Sequence, residues 1–164
     1  MSFQRVFSGA QWESKVGYCR ALRAGDRIFV TGCAPVAIDG GVHAPGDPYA
    51  QTVRCIEIIR EALEGLGGGL ADVTRTRMFV TDIDSWQEFG SAHGEYFGKH
   101  PPTTSMVEVR RLIEPEMMIE IEADAVVVKK LPVEGQAFVK CPVPEVRRAT
   151  GDACPTPIRW SRAA

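Results

Sequence analysis

Between Met118 and Lys129 apolar and acidic residues alternate: Ile119, Ile121, Ala123, Ala125 and Val127 on one parity, Glu120, Glu122 and Asp124 on the other. A period of two is that of a β-strand, whose successive side chains leave opposite faces. The segment therefore predicts a strand with one face in a core. The other face is harder to place, because three carboxylates in a row repel each other unless they meet water, cations or another subunit. On pattern alone a solvated sheet face and a functional or interfacial one stand level.

The clearest helix starts at Asp47, a good N-cap, followed by Pro48 at the first helical position. Tyr49, Val53, Ile56, Ile59, Leu63 and Leu66 recur at spacings near three and four and form one apolar stripe, which Gly67-Gly68-Gly69 ends. A glycine run that follows a helix terminates it; a phosphate cradle would follow a strand and open a helix. Ahead of this helix, strands are expected at Gln4–Phe7, Tyr18–Leu22 and Arg27–Thr31, the last two joined by a turn at Gly25-Asp26. Beyond it come a strand over Val73–Thr81 and a second helix. That helix has Ser85 and Glu88 as a capping box and Trp86, Phe89, His93 and Phe97 as its apolar face. Strands Thr104–Val109 and Met118–Lys129 complete the order β-β-β-α-β-α-β-β. This is an α+β fold with helices on one face of a mostly antiparallel or mixed sheet. The uncovered face makes self-association an expectation.

A chain of 164 residues suits one domain. From Leu131 onward Pro132, Pro142, Pro144, Pro155 and Pro157 interrupt any periodicity, so a domain over 1–130 and a Pro-rich tail or arm over 131–164 are expected. The net charge of −2 attracts neither nucleic acid nor an anionic membrane. No apolar run is long enough to span a bilayer, and the first residues lack a signal pattern; a cytoplasmic protein is the expectation. Five cysteines at irregular gaps argue against a disulfide framework. His43, His93 and His100 are scattered, with no CxxC or HExxH, so no metal site is expected.

Several segments, in order, resemble the RidA/YjgF family: Val16-Gly17-Tyr18, Gly25–Gly32, the Gln51-Thr52 helix, Arg77–Asp82, Glu95-Tyr96-Phe97, Pro102–Val109 and Ile119–Ala123. The resemblance covers about residues 3–130. It implies a chorismate-mutase-like homotrimer with small-molecule clefts between subunits. It also implies hydrolysis of reactive enamines and imines without metal or organic cofactor; other members have been described as ribonucleases or translation inhibitors. In the family motif an arginine between proline and serine clamps the substrate carboxylate, a bidentate role no neutral side chain reproduces. Here the motif reads Pro102-Thr103-Thr104-Ser105-Met106, with Thr104 in the arginine's place.

Tyr18, the Gly32-Cys33 backbone and Glu120 match cleft positions of the family, Glu120 as the carboxylate that positions water. Gly90 stands where the family has an asparagine and His93 where it has a tyrosine. His93 is either a core or rim residue at helical spacing or a titratable group at the cleft. Cys33 is either buried and inert or reactive. Arg75 and Arg77 share a strand face, and Arg77 either neutralises Glu120 or Glu122 at an interface or substitutes for the missing cation. Arg111 reads as a structural ion-pair partner. Three functions remain open: a cofactor-free hydrolase using Glu120 with Thr104 or Ser105, a non-catalytic small-molecule-binding trimer, and, last, a ribonuclease or translation inhibitor.

Overall fold

The structure, a computed structural model, describes residues 3–128; the segment expected to form a Pro-rich arm lies outside the described residues. Six strands form one sheet in the order β1-β2-β3-β6-β4-β5, with β1 Gln4–Val6, β2 Ala21–Ala24, β3 Arg27–Cys33, β4 Val73–Val80, β5 Thr103–Glu108 and β6 Ile119–Val126. All neighbours are antiparallel except β4 and β5, which run parallel. A parallel pair needs a crossover, and helix α3, Trp86–Phe97, supplies it. The alternating segment is thus the strand β6, paired on both sides. Ile119, Ile121, Ala123 and Ala125 are all buried, beside Ile56, Ile59 and Leu63 of α2, Pro48–Glu64.

Asp47 caps α2 by accepting the Ala50 N–H at 2.9 Å, with Pro48 at the first position. The buried face of α2 lies partly beside the expected stripe. It includes Gln51, Thr52 and Cys55, whereas Tyr49 is exposed and donates its hydroxyl to Glu95 at 2.8 Å. Gln51 is buried because its amide closes backbone groups from two loops. It donates to Ala44 O (3.2 Å) and Glu116 O (2.9 Å) and accepts from the Met118 N–H (2.7 Å). Position 51 thereby sets where the chain enters β6.

Three expectations are corrected. Helix α1, Gln11–Val16, with its stop at Gly17 (φ 84°), fills a stretch to which the expected element order assigns nothing. Six residues are too few to show a helical stripe, and the one buried residue in it is Glu13. The strand expected at Tyr18–Leu22 accordingly starts later, at Ala21. Ser85 does not form a capping box: its hydroxyl donates to Asp82 Oδ2 at 2.8 Å, which closes a 3-10 turn over Ile83–Ser85. Trp86, at the head of α3, is 56% exposed, while Phe89 and Phe97 are buried.

In β3, Val30 and Cys33 both face the core although they lie three residues apart, which a regular strand forbids. A register shift between them resolves this: Val30 pairs with Ala123 and Cys33 with Ile121. One extra residue is held in β3, as in a β-bulge.

Gln51→Leu keeps the volume but takes the amide partner from the part-buried Glu116 carbonyl and Met118 N–H, while the Ala44 carbonyl keeps the Asp47 N–H. Each such loss costs about 1–3 kcal/mol, so a fall in unfolding free energy on the order of 3 kcal/mol is expected from denaturant midpoints.

Candidate functional site

The bulge decides what meets Glu120. It turns Gly32 towards the Glu120 side chain so closely that a Cβ on residue 32 would lie 2.7 Å from Glu120 Cδ. Only glycine leaves room for the carboxylate there. Behind this backbone lies Arg20, a buried residue that the sequence reading passed over. Its Nη1 donates to Gly32 O at 3.0 Å and lies 3.7 Å from Cys33 Sγ. Arg20 Nε is 3.7 Å from Glu13 Oε1 and makes no hydrogen bond among the described residues. The Tyr18 ring packs 5.6 Å from the guanidinium. The available signal for Arg20 was its place two residues after Tyr18, but nothing in the sequence foretells burial of a charge.

Glu13 balances that cation. Burial works against its charged form, but the Ser8 N–H and hydroxyl, the Gly9 N–H and Arg20 outweigh it, leaving the carboxyl below its ordinary range. For Glu120 the balance goes the other way. Burial and the neighbouring Glu122 raise its pKa more than Arg20 lowers it. Burial raises the Cys33 thiol to about 11, and it donates to Thr31 O at 3.3 Å. Cys33 is thus a buried, protonated thiol rather than a nucleophile.

Thr104 stands elsewhere. In the parallel pairing it lies beside Thr76, whose antiparallel partner is the buried Ala123, so Thr104 belongs to the helix-covered face. Thr76 Oγ1 lies 2.9 Å from Thr104 Oγ1 and 3.0 Å from His93 Nε2. Burial lowers the His93 pKa, so the ring is neutral near pH 7. It packs on Phe97 with centroids 4.6 Å apart. A Cβ on Gly90, one turn earlier, would meet nothing within 4 Å.

Within one chain the candidates therefore form two groups. Tyr18, Gly32, Cys33 and Glu120 gather around Arg20; Gly90, His93 and Thr104 gather around Thr76. Ser105 pairs with Arg77 in register and faces the opposite way from Thr104, so the two neighbours do not share a face. Arg77 meets Glu122 at 3.1 Å and Asp124 at 3.2 Å, so it neutralises the acidic row at those positions and not at Glu120. A groove of about 650 Å³ on this open face is lined by Tyr18, Phe29, Arg77 and Glu122 among others, and reaches neither Glu120 nor Thr104.

This architecture is shared with known proteins. The family model described as Endoribonuclease L-PSP matches residues 9–127. The chain belongs to that family, the RidA/YjgF family of the resemblance. A solved member of the YjgF/YER057c/UK114 family from Mycobacterium tuberculosis is 46% identical, with a TM-score of 0.70, the match covering 77% of this chain and 100% of that one. An uncharacterised protein of Streptomyces coelicolor is 34% identical over 122 residues, 74% of this chain and 90% of its own. The 3-aminoacrylate deaminase RutC of Acinetobacter baylyi is 33% identical over 108 residues, 66% of this chain and 85% of its own. The mixed six-stranded sheet with three helices matches the solved family structures.

The raised pKa of Glu120 has a consequence for stability. A carboxyl raised by folding contributes fully below its unfolded pKa, and that contribution is lost as pH rises through the folded pKa. Glu120→Gln removes the cost of the buried charge. Its melting temperature should exceed wild type at pH 7, and the gap should close as pH falls through the carboxylate range.

Proposed function

We propose that the chain is a cofactor-free hydrolase acting in the cytoplasm as a homotrimer on a small molecule held between subunits. Glu120 positions the attacking water, and the ligand carries no free carboxylate at Thr104. The observation that carries this reading is the split just described. Glu120 and Thr104 point to opposite faces of one sheet, so a single chain cannot close both about one ligand. Two copies can, if the Glu120 group of one meets the Thr104 group of the next.

The open face supports such an assembly. Phe29 is 43% exposed and Val107 46% exposed, and both belong to the parity of the Arg77–Glu122–Asp124 ion row. Apolar surface of this kind, interleaved with paired charges, suits contact with another copy of the chain. The chemistry is supported by the deaminase name of the RutC relative and by Glu120, a partly buried carboxyl whose pKa burial and the neighbouring Glu122 raise. Free Cys19, Cys33 and Cys55 suit a reducing compartment.

Thr104, at the position where the resemblance puts the clamp, supplies one hydroxyl and no charge. Truncating a charge-assisted pair in a desolvated cleft costs about 2–5 kcal/mol, roughly thirty- to several-thousand-fold in rate. Ammonia release from freshly generated 2-aminoacrylate should fall below that of arginine-bearing members by this factor, and Thr104→Arg should raise it. Ordinary family rates from the wild type would sink the argument. Glu120→Gln should abolish hydrolysis of any substrate found while leaving binding measurable. Binding by the wild type without turnover would instead favour a non-catalytic trimer. Sedimentation should give three chains per particle.

A further inference from the structure

A second polar constellation has no part in positioning water. Thr76 is fully buried, yet its hydroxyl touches two polar groups, His93 Nε2 at 3.0 Å and Thr104 Oγ1 at 2.9 Å. A hydroxyl has one proton to donate and lone pairs to accept. When Thr76 donates to Nε2, it accepts from Thr104, and Thr104 turns lone pairs outward. When Nε2 carries the proton, each bond reverses and Thr104 donates outward. In both arrangements Thr104 offers a neutral hydrogen-bonding function, and His93, which lies beyond Thr76, decides which one.

The line is held firmly at each point. Thr76 and Thr104 are direct neighbours across the β4–β5 pairing. His93 is held on α3 against Phe97. Thr104 is exposed, and the space beside Gly90 is open. A carboxylate brought to Thr104 would lose its hydration and gain one hydroxyl without a counter-charge. A carboxamide has both a donor and an acceptor, so it can match either direction of the line.

We infer that Thr104, Thr76 and His93 form a hydrogen-bond relay that makes this half of the cleft select a neutral amide or carbonyl group over a carboxylate. His93 is a positioning residue that acts through Thr76. The inference rests on the reading of Thr104 as a cleft residue.

Pyruvamide and pyruvate, equal in shape and different in charge, serve as probes of the full chain by nitrogen-15 NMR, with the His93 ring signals assigned by His93→Gln. Pyruvamide is expected to move both the Thr104 amide and the His93 ring nitrogens, and to bind about tenfold more tightly than pyruvate, the worth of one good hydrogen bond. In Thr76→Val, which keeps the shape and removes the hydroxyl, pyruvamide should still move Thr104 but no longer His93. A residue that only filled space would not show this uncoupling. If Thr76→Val fails to fold, His93→Phe gives the second arm, and its preference for pyruvamide should shrink towards unity. A His93 response that persists in Thr76→Val, or an amide preference that persists in His93→Phe, overturns the relay. Movement of Thr104 without His93 in the wild type overturns the relay and leaves the cleft reading standing. Pyruvate binding as tightly as pyruvamide overturns the selectivity. If neither probe moves Thr104 or Glu120, the cleft reading falls and the relay's role falls with it.

Discussion

β6 lies between β3 and β4, and its register with both decides which residues reach which face of the sheet. A slip of one residue would put Glu120, Glu122 and Asp124 into the core and expose the isoleucines, a cost no surface contact could offset. That register is fixed by two features. Gln51 ties the entry of the strand to α2 through the Met118 N–H, and the bulge in β3 absorbs one residue between Val30 and Cys33. With the register set, the Glu120 carboxylate falls over Gly32, and the Arg20 guanidinium is fastened to the back of the same peptide.

The two candidate groups differ in electrostatic character because they differ in cover. Around Glu120 charges are partly buried: Arg20 reaches both Glu13 and the Gly32 carbonyl, and Glu122, paired with Arg77, still raises the Glu120 pKa. Around Thr104 no formal charge enters the line of hydrogen bonds, which runs through two hydroxyls and a neutral imidazole. A cleft built from both groups would present a carboxyl on one wall and a neutral wall opposite. Such a site suits a ligand whose reacting end meets Glu120 and whose other end is uncharged.

Much of this was legible in the sequence. The strict alternation over 119–125 gave β6 and its two faces; Asp47-Pro48 gave the start of α2; Thr104 stood out against the motif around it. Other features were not legible. The bulge depends on pairing with a strand nearly ninety residues away in sequence. The burial of Arg20 and Glu13 depends on α1, which is too short to announce itself by periodicity. The relay joins residues on three elements, and only their packing brings Thr76 between His93 and Thr104.

By itself, then, the sequence determined the six strands and the two long helices in their order, the family, and the identity of residues such as Glu120 and Thr104, because local periodicity, capping and motif spacing act over a few residues. The tertiary structure alone decided that Glu120 and Thr104 face opposite sides of the sheet, that Arg77 meets Glu122 and Asp124, and that His93 reaches Thr104 through Thr76. These are consequences of strand register and of a single inserted residue. Register is set by contacts between segments far apart in the chain, where a shift of one position exchanges inside for outside.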